Sequence, residues 1–366
     1  MNQLNTYFTT VITLLLLGIS TNISAQTPQL NTDRSSIDEH LAAWLTEHDT
    51  PSAAVAIVVD GKPLWAIVEG EQSIGKHADH ATLYNVASLA KPVTAELALR
   101  LSVEDHSFLS ANPSKWWVDP DIENHKWLDS LRISHLLAHQ SGLPNWRYQT
   151  DDSLRFLFQP GSASGYSGEG YQYLAKAIEH KWQQPFEQMM QEHVFEAARM
   201  SSTSFTQTDY FADHIAHPKG RKGAYGKPSI QTSYVAADDL YTTIDDFSKF
   251  LSFVLQGKAL TQGTRWQLDF NMADKLCASG RLGQHCPDEL GFVMGWSKLS
   301  YPDATFYIQG GGDWGERTFA LIYPDMNQAI VVFTNGANGM HVIKRVFESI
   351  LPHEGLLAFL TMQTGQ

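Results

Sequence analysis

Hydrophobic residues near the start of the chain recur with two different periods. Over 35–48 they fall on one face of a helix, at Ile37, Leu41, Trp44 and Leu45. Over 53–59 and 63–68 they form short continuous runs, and Asp60-Gly61 between these runs is a strong signal for a β-hairpin. The pattern therefore predicts a helix followed by a hairpin.

Strand-like and helical patterns are unevenly distributed along the remaining sequence. Near the C-terminus, strands are predicted at 291–299, 305–308, 317–323 and 329–334, followed by a closing helix at 340–351. In the middle, helices are predicted at 93–103, 133–138, 171–181, 186–198 and 245–255. Strands at both ends with helices between them are typical of an α+β fold.

The predicted architecture is an antiparallel sheet built from the N- and C-terminal segments and flanked by helices. A mainly helical lobe, about 86–275, is inserted between the two sets of strands. We interpret 26–366 as a single two-lobed domain, and we expect a functional cleft where the lobes meet.

Composition and charge narrow the possible functions. The chain has 366 residues, of which 43% are hydrophobic and 18% charged, as is typical of a soluble globular protein. Its formal net charge of −13 argues against a nucleic-acid partner, because binding the phosphate backbone requires clustered cations. The sequence says nothing firm about oligomeric state.

The first 25 residues have the pattern of a signal peptide. Residues 11–19 are a short apolar run, and Ser24-Ala25 supplies small residues for cleavage. The run is shorter than the roughly 20 apolar residues that cross a bilayer, and no cysteine follows it, so we expect no stable membrane anchor. The lack of Lys or Arg before the run is atypical. We expect export, to a periplasm or to the medium.

The sequence has two cysteines, Cys277 and Cys286. In an exported protein a local disulfide is the expected state of such a pair. Two free thiols are the simpler alternative. A zinc site with the adjacent His285 lacks a complete set of ligands.

Two Ser-x-x-Lys pairs raise the possibility of nucleophilic catalysis. A lysine one helical turn after a serine can take its proton where burial favours the neutral amine. Ser88 and Lys91 open the periodic helix predicted at 93–103, in apolar surroundings. Ser73 and Lys76 lie in a polar stretch with a glycine between them, which does not favour a helix. The alternative to a nucleophile and its base is a structural one, in which Ser88 caps the helix and Lys91 is a surface charge.

Several motifs in order resemble the serine β-lactamase and penicillin-binding-protein superfamily, in particular its class C β-lactamase-like branch. Ser88-Leu89-Ala90-Lys91 is similar to the first motif of that family. Residues 133–144, ISHLLAHQSGLP, resemble a structural stretch, and 165–174, GYSGEGYQYL, resemble the second motif. Residues 309–315, QGGGDWG, stand where the third motif is expected. The resemblance covers nearly the whole mature chain.

The resemblance implies a role for each matching residue. Ser88 would attack a carbonyl group, Lys91 would accept its proton, and Tyr166 would relay protons to the leaving group. The backbone N–H groups of Ser88 and Gly312 would form an oxyanion hole. The expected substrate-binding positions are Gln309, Gly310, Gly311, Asp313, Trp314 and Gly168. The resemblance implies no metal and no cofactor, and the substrate would be a small molecule or a peptide.

Two departures from the family pattern bear on the substrate. Gly168 stands where the second motif usually ends in asparagine, and Gln309 stands where the third usually begins with lysine or histidine. Substrates bound through a free carboxylate are therefore less expected than esters or amides without one. Glu169 is expected to face solvent.

The expected function is an esterase- or peptidase-like serine hydrolase. One alternative is another serine hydrolase, a β-lactamase or a D-Ala-D-Ala carboxypeptidase. The other is a binding protein with a vestigial site.

Other histidine and serine patterns are weaker signals. Residues 165–169, GYSGE, narrowly fail the G-x-S-x-G motif, and the parallel strand–helix pattern that it requires is missing. The histidines at 77 and 80, and at 214 and 217, lack the further ligands of a metallo-hydrolase. His139 is expected to be a hydrogen-bonded core residue and not a catalytic base.

Overall fold

Strands from the two ends of the chain form one antiparallel sheet. The computed structural model describes residues 27–257 and 262–365, so the signal peptide predicted at 1–25 lies outside the described residues. The strands are β1 Ser52–Val59, β2 Lys62–Ser73, β3 Lys76–His77, β4 Tyr84–Asn85, β5 Tyr241–Thr242, β6 Glu289–Phe292, β7 Ser297–Ser300, β8 Thr305–Gly312, β9 Arg317–Tyr323 and β10 Gln328–Thr334. The main sheet has the order β3-β2-β1-β10-β9-β8-β7-β6, as the predicted architecture requires.

The helices pack on both faces of this sheet. They are α1 Ser35–Glu47, α2 Ala90–Glu104, α3 Ile133–Leu137, α4 Gly168–Trp182, α5 Phe186–Met190, α6 Glu196–Ala198, α7 Phe211–His214, α8 Ile244–Gln256, α9 Gln262–Arg265, α10 Ala273–Cys277, α11 Gly339–Ile350 and α12 Glu354–Thr364. A π-helical turn at Gln191–Phe195 joins α5 to α6, so the helix predicted at 186–198 is continuous. Helices α1, α11 and α12 cover the outer face, and the inserted helical lobe covers the inner face.

The central strand β1 is apolar after its first residue because both of its faces are buried. Alternate side chains of a strand point to opposite faces of a sheet. Ala54, Ala56 and Val58 therefore join the core shared with the helical lobe, whereas the residues between them join the core under α1, α11 and α12. Because both faces are covered, β1 is a continuous apolar run.

One predicted strand and one helix differ between the prediction and the structure in the C-terminal part of the chain. The single strand predicted at 291–299 is two strands, β6 and β7, joined by a turn at Gly295 with φ +86°. A side chain at Gly295 would bring its Cβ to 2.6 Å from the Cβ of Ala95 on α2, so this turn packs closely against that helix. The helix α12 was not predicted, and it begins where the His353 side chain accepts a hydrogen bond from the N–H of Leu356 at 3.1 Å.

A small second sheet lies directly before Ser88. Strand β4 pairs with β5, which is more than 150 residues further along the chain, through Asn85 opposite Tyr241. Two-residue strands leave no periodic pattern in the sequence, so only the folded chain reveals this pair. The sheet fixes the entry into the turn that carries Ser88.

The two cysteines are joined in the structure. Cys277 and Cys286 form a disulfide with their Cα atoms 5.7 Å apart, between α10 and the loop that leads to β6. Among the described residues, no helix combines the length and the apolar character needed to cross a bilayer.

Candidate active site

Ser88 lies in a tight turn directly before α2. Residues Ala87–Leu89 form one turn of 3-10 helix, and Ala87 has φ +48°, a left-handed conformation that is uncommon for alanine. The N–H of Ala87 donates to Oδ1 of Asn85 at 2.9 Å, and Nδ2 of Asn85 donates to Oδ1 of Asp239 at 3.0 Å. The side chain of Asn85 on β4, itself held by Asp239 just before β5, thus keeps the strained turn in place.

Lys91 stands one helical turn after Ser88 and is almost fully buried, with 1% of its surface exposed. Its Nζ donates to Oγ of Ser88 at 3.0 Å and to the carbonyl of Ala237 at 2.8 Å. Thr94, one turn further along α2, donates to the carbonyl of Ala236 at 2.7 Å. The 236–237 segment therefore clamps the start of α2, and the structure brings Ser88 and Lys91 together.

The second Ser-x-x-Lys pair is far from this arrangement. Ser73 and Lys76 pair across the turn between β2 and β3, where Gly75 has φ +71°. The amine of Lys76 donates to the carbonyl of Asp213. The turn conformation agrees with the prediction that this pair does not lie on a helix.

Tyr166 and Gln309 complete the constellation around Ser88. Nζ of Lys91 lies 4.6 Å from the centroid of the Tyr166 ring. Nε2 of Gln309 lies 3.4 Å from the hydroxyl of Tyr166 and 3.4 Å from the carbonyl of Ser88, both at the outer limit of a hydrogen bond. Residues from three distant parts of the sequence thus meet beside Ser88 and Lys91.

His139 supports the Tyr166 ring. The two rings pack with their centroids 4.4 Å apart, and Nδ1 of His139 accepts a hydrogen bond from the N–H of Ser167 at 3.0 Å. Burial, with the nearby charge of Lys91 as a smaller cause, holds the pKa of His139 well below its usual value. The histidine is therefore neutral and hydrogen-bonded, as expected for a core residue.

The strand β8 presents a free edge beside the catalytic turn. Its neighbour β7 pairs with it only as far as Ile308, so Gln309–Gly312 lies beyond the last paired residue on that side. A Cβ on Gly311 would lie 2.2 Å from the carbonyl oxygen of Val86 and 2.2 Å from Oγ1 of Thr318. That hydroxyl donates to Val86 at 2.8 Å, so β8 and β9 both press against the turn that carries Ser88.

A cleft of about 700 Å³ follows this free edge. Tyr166 and Gln309 line it at the catalytic end, and Gly312, the expected second oxyanion donor, lies along it. The cleft continues around β8 to the outer face of the sheet, where α11 and α12 form its far wall. Its size is typical of pockets that hold small-molecule ligands.

Gly168 does not lie on the cleft surface. It is buried, its N–H donates to Oδ1 of Asn145 at 3.0 Å, and a Cβ there would lie 2.9 Å from the ring of Trp146. An asparagine side chain at this position would therefore collide with Trp146. The structure places Gly168 against packed protein and not where a substrate could contact it directly.

Glu169 is buried and paired, which corrects the expectation that it faces solvent. Its carboxylate accepts from Nη2 of Arg147 at 2.8 Å, and the same nitrogen donates to Asp119 at 3.1 Å. These bonds, that to Glu169 first, raise the pKa of Arg147 above its usual value. The pair anchors the start of α4, directly after Tyr166, and it has a structural role.

Trp314 packs on a neighbouring loop while remaining 57% exposed. A Cβ on Gly220 or on Gly226 would lie 2.7 or 2.5 Å from its ring. The exposed Asp313 accepts a hydrogen bond from the N–H of Trp314 at 2.7 Å. Of these two expected substrate-binding residues, Asp313 lines the cleft.

Three carboxyl groups, one buried and two partly buried, lie in the region of the Ser88 turn. Burial raises the pKa of Asp238 to about 7, although Lys91 acts in the opposite direction. Burial likewise raises the pKa of Asp239, and it raises that of Glu316 to about 7. In the described residues, no three His, Cys, Asp or Glu side chains are grouped so that they could hold a metal ion.

This geometry agrees with a comparison of the chain against known families. A sequence model of the family described as Beta-lactamase matches residues 36–350. The chain belongs to the Beta-lactamase family. Members of this family are generally serine hydrolases, and the match extends from the first helix α1 to the end of α11.

The individual relatives of this chain share only about a quarter of its residues or fewer. Protein flp of Staphylococcus aureus strain MW2 is 25% identical over 341 residues, which cover 86% of this chain. The chain spans 66% of the length of that relative. A protein named Beta-lactamase from Lysobacter lactamgenus is 22% identical over 287 residues, or 75% of this chain and 71% of that protein.

Two solved structures show the same fold. The octameric penicillin-binding protein homologue from Pyrococcus abyssi is 16% identical, with a TM-score of 0.70 over 87% of this chain and 79% of that one. The D-alanine carboxypeptidase AmpC from Burkholderia cenocepacia is 18% identical, with a TM-score of 0.67 over 90% of this chain and 98% of that one. At these identities the likeness establishes the α+β architecture.

Several residues that shape the site carried no signal in the sequence. Asn85 and Thr318 hold the catalytic turn, and the carbonyl of Ala237 holds Lys91. Arg317 lies opposite Gly312 in β9, with Nη1 3.7 Å from the position of a Cβ on that glycine. Backbone acceptors and residues on neighbouring strands are found only when the chain is folded.

The two neighbouring glycines of β8 give a prediction about stability. Gly311→Ala should lower the free energy of unfolding by about 1–3 kcal/mol, because its methyl group would overlap Val86 and Thr318. Gly310→Ala is the matched control, because its nearest neighbour would be at 3.7 Å, an ordinary contact. Urea unfolding of both variants tests this. Equal stability of the two would contradict the described packing of β8 on the turn.

Glu316 gives a prediction about pH. Burial raises its pKa to about 7, with Asp313, Asp239 and Asp238 adding to the effect and the N–H of Gly315 opposing it. A carboxyl with a raised pKa stabilises the fold below its unfolded value of about 4.5, and this contribution is lost as pH rises through about 7. Glu316→Gln should therefore raise the melting temperature at pH 8 much more than at pH 4.5. The same gain at both pH values would contradict the assignment.

Proposed function

We propose that this chain is an exported serine hydrolase that forms an acyl-enzyme on Ser88. The observation that carries the proposal is the buried amine of Lys91, 3.0 Å from the Ser88 hydroxyl. A serine hydroxyl is a weak nucleophile unless a base lies within hydrogen-bond reach, and this one has such a base.

In the proposed reaction, Lys91 and Tyr166 transfer the protons during acylation and deacylation. Lys91, acting as the base, takes the proton of Ser88 while Oγ bonds to the substrate carbonyl carbon. The N–H groups of Ser88 and Gly312 stabilise the negative oxygen that results. As the bond to the leaving group breaks, Lys91 and Tyr166 pass the proton to that group. Water then attacks the acyl-enzyme, with Tyr166 and Lys91 as the base, and restores the serine.

The preferred substrates are esters, or amides without a free carboxylate. Gln309 is neutral and is engaged with the carbonyl of Gly310 at 2.9 Å as well as with its contacts to Ser88 and Tyr166. Gly168 has no side chain and is covered by Trp146. The two positions that usually recognise the acylamino and carboxylate groups of β-lactams thus supply neither contact.

The names of relatives support a second candidate. One relative is named Beta-lactamase, and a structural neighbour is named a D-alanine carboxypeptidase. The second candidate is therefore hydrolysis of a β-lactam or of a D-alanyl peptide by the same serine. Export is supported by the leader pattern at 1–25 and by the disulfide between Cys277 and Cys286.

The first experiment tests whether Ser88 is the nucleophile. Treatment with a fluorophosphonate should give one adduct, found by mass spectrometry on the peptide that contains Ser88. Ser88→Ala should abolish the adduct, whereas Ser73→Ala, the control at the other Ser-x-x-Lys pair, should leave it intact. An adduct that survives Ser88→Ala, or no adduct on the wild type, would overturn the proposal and favour a binding protein with a vestigial site.

The second experiment tests the substrate class. The wild type should hydrolyse short-chain p-nitrophenyl esters with a kcat/KM at least about tenfold higher than for the cephalosporin nitrocefin, because lost contacts of this kind cost about 1.4 kcal/mol or more in the transition state. Adding D-alanyl peptides to the set of substrates tests the other half of the second candidate function, hydrolysis of a D-alanyl peptide. Efficient nitrocefin turnover with negligible ester turnover would show that the interpretation of Gln309 and Gly168 is wrong.

A further inference from the structure

The cleft is open on the outer face of β8 because that face has no side chains at its end. In β8 the side chains of Phe306 and Ile308 belong to the outer core, so Gly310 and Gly312 face the same way. Both glycines are exposed. Neither has a left-handed φ, and a Cβ on either would meet only ordinary contacts, at 3.6 Å or more. The backbone conformation does not require glycine at these two positions. Because glycine has no side chain, the outer face of β8 is left uncovered there.

Three apolar side chains, Phe319, Met340 and Phe359, lie side by side with polar ones in the lining of this space. Phe319 lies beside Gly310, at 3.7 Å from the position of its Cβ. Met340 of α11 and Phe359 of α12 line the cleft and are only partly buried. Partly exposed apolar side chains in a concave site favour a ligand that covers them.

Arg317 is the one cation among the described residues that line the cleft, and its Nη1 already donates to the carbonyls of Asp313 and Glu316 at 2.5 and 2.6 Å. Burial and the nearby Arg221 lower the pKa of this guanidinium, and the side chains of Glu316 and Asp313 act in the opposite direction. At the catalytic end, the neutral Gln309 lines the cleft.

Tyr166 connects this space to the reaction. It lines the cleft beside Gln309, and in the proposed function it passes a proton to the leaving group. On that function, the leaving group is the part of the substrate that lies nearest to the hydroxyl of Tyr166, at the end of the cleft that Tyr166 and Gln309 line.

We propose that the cleft binds an uncharged, apolar leaving group, which runs over Gly310 and Gly312 to the wall formed by α12. The substrate class is then an ester or amide of a medium-length or bulky apolar alcohol or amine. This inference rests on the proposed function and specifies its substrate.

The test varies the leaving group while the acyl group is kept constant. Ethyl, butyl and hexyl acetate all give the same acetyl-enzyme, so any difference in kcat/KM reports acylation and the site of the alcohol. We expect kcat/KM to rise at least tenfold from ethyl to hexyl acetate, since a fully buried methylene favours binding about threefold to fourfold. The ester 6-acetoxyhexanoate, which carries a carboxylate at the far end of the same chain, should be a poorer substrate than hexyl acetate.

Two variants locate the effect in the cleft. Phe359→Ala should remove most of the gain from ethyl to hexyl acetate, because it removes the apolar wall on α12. Met362→Ala is the matched control, on the same helix but outside the cleft lining. Gly310→Val should reduce kcat/KM for hexyl acetate about tenfold more than for ethyl acetate, because its side chain fills the groove. Thermal melting checks that each variant is folded.

A second readout does not require turnover. Hexanol should protect Ser88 from the fluorophosphonate at a lower concentration than butanol or ethanol, and Phe359→Ala should reduce this difference. If Ser88 is labelled but neither assay depends on alcohol chain length, the inference is overturned while the nucleophile assignment stands. A preference for 6-acetoxyhexanoate would also overturn it, because Arg317 would then bind a carboxylate. If Ser88 is not labelled at all, the proposed function fails as well.

Discussion

The geometry around Ser88 depends on one buried amine. Lys91 has almost no exposed surface, and its Nζ is held between Oγ of Ser88 and the carbonyl of Ala237. A buried polar group without partners is costly, so these two acceptors fix both the lysine and the segments that carry them. The start of α2 is thereby tied to the loop before β5. Because Val86 accepts from Thr318 of β9, the sheet is tied to the same turn.

Much of the fold could be predicted from local patterns. The hairpin of β1 and β2, the helix α2 and the strands β9 and β10 follow from period, turn chemistry and length, and the structure has them where they were expected. The motif residues also meet as the family resemblance implies, with Gln309 beside Ser88 and Tyr166. These features were accessible because each is encoded by neighbouring residues or by motifs in a known order.

Other features depend on contacts between distant residues, which a single sequence does not display. The burial of Glu169 follows from Arg147, which lies 22 residues earlier, and the position of Gly168 follows from Trp146. The break between β6 and β7 follows from the close packing of Gly295 on α2. Helix α12 was missed because its apolar residues serve an outer core that is assembled from both ends of the chain.

In the proposed function, helix α12 contributes to binding the substrate and takes no part in the chemistry at Ser88. The family match ends at residue 350 and α12 begins at Glu354, so Phe359 in the cleft wall lies outside the matched residues, whereas Met340 of α11 lies within them. Substitutions in this helix can reshape the pocket without disturbing the packing around Ser88. The C-terminal helix is therefore a natural place for substrate range to diverge, and a convenient one to engineer.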